Sequence, residues 1–157
     1  MCLYVDADRH GRKGGKANKA LRRPRTVTSP ILVYKVLKSS GDPNSAISPY
    51  RNFRWTFGVE HTAKFSHEVD NYYDEHTIDA GLHAFRNIQK ANDLISCGYG
   101  RRVYYAVIPV GAKVYMGSDD DIVSTKMTVY ASMDDLKAVH GEVSTTPIDY
   151  RKLTKGN

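Results

Sequence analysis

The run ILVYKVL at residues 31–37 constrains the fold most. It follows Pro30, is strongly apolar and rich in β-branched residues, and so predicts the first core strand. A second strand signal stands at FRWTFGVE (53–60). There Phe53, Trp55 and Phe57 alternate with Arg54 and Thr56, a period of two, and Gly58 marks a bend. Between them SSGDPNSAISPY (39–50) is dense in turn residues and predicts a loop. HTAKFSHEVDNYYDEHT (61–77) is polar and reads as a strand end and loop.

The helix signal is different in period. In GLHAFRNIQKANDLISCG (81–98), Leu82, Phe85, Ile88, Ala91, Leu94 and Ile95 form one apolar stripe, which predicts the main helix over about 82–97. Asp79 stands where it could cap the start and Gly98 where a helix would end. Further strands are expected within 101–117, on both sides of the Pro109–Gly111 turn, and at 121–131. SMDDLKAVHG predicts a short helix over about 133–140, with a cap formed by Ser132 and Asp135 and a stop at Gly141. The polar tail from Glu142 is expected to wrap the surface. The sum is an α+β domain: a mostly antiparallel, curved sheet packed against one main helix and a short C-terminal one.

Charge divides the chain unevenly. The formal net charge is +6, and residues 1–26 hold eight basic side chains against only Asp6 and Asp8, while the rest balances to zero. The segment 1–26 is therefore expected to be a basic flexible arm, with residues 27–157 forming the single domain. Such an arm could touch polyanions without reading sequence. It gives no support to a basic docking face on the domain itself.

The chemistry-bearing motifs are incomplete. Six histidines show neither paired HxT motifs nor zinc spacing, and two cysteines, Cys2 and Cys97, make neither a disulfide framework nor a metal site. CGYGRR (97–102) lacks the lysine and glycine spacing of a phosphate loop. Cys2 would become an N-terminal nucleophile if Met1 were removed. No metal, cofactor or complete catalytic set is expected, and no apolar run approaches membrane length, so a cytoplasmic protein with reduced thiols is expected.

The eleven tyrosines, against four phenylalanines and one tryptophan, suit either a sheet facing water or the stacking of a flat ligand. His83 follows Gly81 at the expected helix start, where it would either satisfy a neighbouring backbone group or face an anion.

The blocks MC, YK, SPY, FRWTFG, GLHAF, VIPVGAKVYMG and IVSTKM, which begin at Met1, Tyr34, Ser48, Phe53, Gly81, Val107 and Ile122, resemble a group of small phage and prophage proteins. The chain departs from that pattern at Val110, where a lysine is usual, and Lys113 is the candidate replacement. The resemblance implies an anti-defence role, in the host cytoplasm, by sequestering a small phosphorylated nucleotide messenger of the cyclic dinucleotide or cyclic ADP-ribose type without turnover. Tyr34, Tyr50, Trp55 and Tyr104 are then the stacking candidates, Arg51, Arg101 and Arg102 the phosphate partners, and His83 a hydrogen-bond donor. A homo-oligomer would help a small domain enclose such a ligand. The rival expectations are a binder of host protein or nucleic acid through the basic segment, and an enzyme using Cys2 or His83.

Overall fold

The computed structural model describes residues 2–142 and the backbone of Thr154–Lys155. In chain order the strands are β1 (Leu3–Tyr4), β2 (Arg25–Thr26), β3 (Ile31–Ser39), β4 (Ser45–Ile47), β5 (Arg54–Thr56), β6 (Glu60–Thr62), β7 (Ser66–Asp70), β8 (Glu75–Ala80) and β9 (Leu82–Phe85). Helix α1 (Ile88–Ile95) follows, then β10 (Arg101–Ile108), β11 (Lys113–Met116), β12 (Asp121–Ser124), β13 (Lys126–Tyr130), helix α2 (Met133–His140) and β14 (Thr154–Lys155). Among the described residues these strands make an eleven-stranded sheet and a smaller one in the order β1, β8, β7, with every pairing antiparallel. The fold class is α+β, as expected.

β3 explains the architecture. It pairs along its length with β10, from Ile31 opposite Ile108 to Lys38 opposite Arg101. Both of its faces are covered, which is why it reads as a continuous apolar run rather than an alternating one. Ile31, Val33 and Leu37 join Trp55, Tyr104, Ala106, Met116, Ile122 and Val129 in the larger core. Leu32, Tyr34 and Val36 point the other way, into a second core closed by Ala91 of α1 and Leu136 of α2. A third cluster, Leu3, Ile78, Tyr115 and Val123, joins the small sheet to the large one.

Several expectations change. The main helix is shorter than 82–97: residues 82–85 are strand β9, paired with β12, and the helix begins only after Asn87, whose side chain accepts from the Gln89 N–H. The apolar stripe at Leu82 and Phe85 continues the pattern in one dimension, but both residues are taken up by sheet pairing. The short second helix occupies 133–140, with Ser132 accepting from the Asp135 N–H at 3.2 Å. The Pro109–Gly111 turn does not make a β10–β11 hairpin, because β11 pairs with β2 and β12 instead. The polar stretch 61–77 contributes β6, β7 and the start of β8. The expected surface-wrapping tail lies outside the described residues, except that Thr154 and Lys155 pair with β2.

Residues 2–26 do not extend as an arm. β1 pairs with β8, β2 pairs with β11, and His10, Ala20 and Arg22 are buried. Two histidines hold this segment. The Met116 N–H donates to His10 Nε2 at 2.9 Å, which leaves the ring proton on Nδ1 to reach the Arg23 carbonyl at 2.8 Å. The Arg22 N–H donates to His76 Nδ1 at 3.1 Å, and His76 Nε2 then donates to His67 Nδ1 at 2.9 Å. The Tyr115 hydroxyl donates to the Arg22 carbonyl, and Arg22 pairs with Asp74 at 2.9 Å. Buried polar pairing thus orders a charge-rich segment that hydrophobic burial alone would not.

Candidate functional site

A cavity of about 430 Å³ opens where β3, β5 and β9 meet the loop before β5. Its lining includes Lys35, Tyr50, Arg51, Phe53, Trp55, Lys64, Asp79 and His83. That volume falls within the range of small-ligand sites, roughly 300–1,000 Å³.

Trp55 is the fixed wall. It is 1% exposed, its Nε1 donates to Ser48 Oγ at 3.0 Å, and Phe53 and His61 meet it edge-on at 5.2 and 4.9 Å. Lys35 lies across it, with Nζ 4.7 Å from the ring centroid, and donates to the His83 carbonyl. Lys35 stands between Val33 and Leu37 on the core-facing side of β3 and is only 9% exposed. Among the described residues no carboxylate pairs with it. Burial in this apolar setting pushes its ammonium from 10.5 down to about 7.

His83 belongs to β9, opposite Val123, so it does not stand at a helix N-terminus. Its Nε2 lies 3.3 Å from the Asp79 carbonyl. Burial, followed by the nearby Lys35 charge, lowers its pKa to about 4, so the ring is neutral at pH 7. Gly81 lets the chain turn between β8 and β9 at φ +142°, where a Cβ would run into Val123 and Phe65. At the rim Arg51 pairs with Asp79 at 3.1 Å, with both side chains well exposed, so the pair holds little energy and can reopen. Arg101 sits behind Tyr50, 5.3 Å from its ring centroid, and is bonded to the Leu94 carbonyl.

Of the eight residues singled out from sequence, Tyr50, Arg51, Trp55 and His83 line this cavity, and Arg101 supports Tyr50. The other three do not belong to it. Tyr34 points to the opposite face of β3 from Lys35 and packs beside Tyr105. Tyr104 is buried in the main core against Phe57, and Arg102 lies over the Tyr104 ring with its guanidinium bonded to the Ala131 carbonyl. Lys35, Lys64 and Asp79 were missed. For Lys35 the signal was available: it is the one charged residue inside ILVYKVL.

Cys2 is exposed, and its Sγ donates to Asp79 Oδ1 at 3.6 Å, a carboxylate that is itself held by Arg51. Lys113 is bonded to Thr26 Oγ1, away from the cavity. No cluster of metal-ligating side chains forms among the described residues, and none of their helices is long and apolar enough to cross a membrane. No family model, curated protein or solved structure matches the chain.

Proposed function

We propose that the protein is a non-enzymatic binder of a small phosphorylated nucleotide, held in the cavity between β3, β5 and β9. The observation that carries this reading is the meeting of aromatic rings and cations in one cavity: Tyr50, Phe53 and Trp55 with Lys35, Arg51 and Lys64. A base on an aromatic wall contributes about 1–3 kcal/mol. A phosphate reaching Lys35 gives its ammonium a counter-ion, and Arg51 can leave Asp79 to add a forked pair. A cavity of about 430 Å³ favours a compact ligand, so the cyclic ADP-ribose type fits better than a full cyclic dinucleotide, which a second copy would have to help enclose. Sequestration of such a messenger, as an anti-defence protein of a phage, is the role implied by the sequence blocks beginning at Met1, Ser48 and Gly81.

The test is a thermal-shift and native mass-spectrometry panel of cyclic dinucleotides, cyclic ADP-ribose isomers and linear nucleotides. A retained, unaltered ligand that stabilises the protein and is lost in Arg51→Ala supports the reading. No shift and no retained ligand across the panel refutes it.

A second reading rests on the packed basic segment, which exposes Lys13, Lys16, Lys19 and Arg23. A fixed patch of this kind suits a polyanion, with affinity falling steeply as salt rises. Deleting residues 1–26 would remove β1, β2 and His10, so reversal of Lys13, Lys16 and Lys19 to Glu is the cleaner test.

A further inference from the structure

We propose that Lys35 is an amine nucleophile that captures a small carbonyl compound in the cavity as an imine, a reactivity separate from nucleotide binding. Three observations carry it. Nζ sits between two cavity walls, the Trp55 ring and the His83 carbonyl, so an aldehyde or ketone in the cavity would meet it directly. No carboxylate among the described residues neutralises it. A methionine would fill the same space beside Trp55 without the cost of burying an amine, so packing alone gives no reason for lysine here. Burial also leaves about half of the Lys35 side chains as free amine near pH 7, which is the nucleophilic form.

The step balances without a co-reactant. The nitrogen lone pair adds to the carbonyl carbon while the carbonyl π electrons move to oxygen. The two protons of the amine pass to that oxygen, the carbon–oxygen bond breaks, and one water leaves as the carbon–nitrogen double bond forms. Nothing is oxidised or reduced. The neutral ring of His83 shares the cavity. The flat walls of Trp55 and Phe53, with Arg51 and Lys64 beside them, select a planar carbonyl compound carrying an acid group.

The probe is 4-carboxybenzaldehyde at pH 7 with borohydride reduction, followed by intact mass and peptide mapping of the full chain. Lys35 should be modified at least about tenfold faster than exposed lysines outside the cavity such as Lys13, Lys16 and Lys19, because burial frees its amine near pH 7. Its rate should level off above about pH 7. Tyr50, Arg51, Lys64, Asp79 and His83 are the other charged or titratable groups lining the cavity, and His83→Gln separates the histidine's contribution. Lys35→Arg, or Lys35→Met if the first misfolds, should lose the fast adduct. Exposed lysines modified with Lys35 untouched in the folded protein would overturn the proposal. The readout is a covalent adduct, so a silent nucleotide panel would leave it standing.

Discussion

Replacing Lys35 with Met should stabilise the protein at neutral pH and flatten its stability on the alkaline side. In the folded chain the Lys35 amine loses its proton near pH 7, and in the unfolded chain near 10.5. Between those values the unfolded state binds one more proton than the folded state. Stability therefore rises with pH through this window, by about 1.4 kcal/mol per unit. From about pH 7.5 to 9.5 the gain is about 2–3 kcal/mol. The window stops there because burial raises the pKa values of Tyr34, Tyr115 and Tyr130, whose ionisation in the unfolded state lowers stability above about pH 10. Lys35→Met keeps the stem packed beside Trp55 and removes both the titration and the bond to the His83 carbonyl, the latter worth about 1 kcal/mol. At pH 7.5 the balance is a gain of about 3 kcal/mol, shrinking to about zero by pH 9.5. Urea unfolding at several pH values, with a shared slope, measures it. Parallel pH curves for the two proteins, or a variant less stable at every pH, would refute the reasoning.

Acid should act through the histidines. His10, His76 and His83 are each lowered to about 4, chiefly by burial, so their contribution to stability is complete above about pH 6.5 and is lost as pH drops toward 4. The slope is about 1.4 kcal/mol per unit for each ring, and thermal melts should show it reduced in His10→Gln. Phosphate binding beside Lys35 should take up close to one proton at about pH 8, because the anion restores the ammonium. Calorimetry in buffers of different ionisation enthalpy reads that uptake, and Lys35→Met should show none.

The parts of the fold that were legible are those where one periodicity met one environment. SMDDLKAVHG became α2 because its cap, stripe and stop all belong to the same local element. Within FRWTFGVE only Arg54–Thr56 became β5, with Trp55 inward as the alternation demands but Phe53 left exposed. GLHAFRNIQ failed for a physical reason: an apolar pair three residues apart fits a helix face, but Leu82 and Phe85 pair with β12, and Phe85 also with Tyr34 of β3, partners far away in the sequence. Local spacing carries no trace of those partners. The basic segment failed in a related way, since its order comes from His10, His76 and Tyr115 accepting and donating across the fold, and polar pairing has no period.

The site shows the same division. Tyr50, Arg51 and Trp55 sit in or beside one turn-flanked strand, so choosing one brought the others near it. Tyr34 and Tyr104 were chosen by residue type, and type does not say which face of a strand is covered. Lys35 carried the stronger signal, because it breaks a rule. Every neighbour in ILVYKVL agrees with a strand buried on both faces, and a lysine there opposes that agreement. A conflict between local chemistry and global burial is retained only where something outside packing favours it. Here the conflict lies on the face of β3 that opens to the cavity, between Trp55 and His83. That position makes the lysine, more than the histidine beside it, the residue on which binding and reactivity at this site should depend.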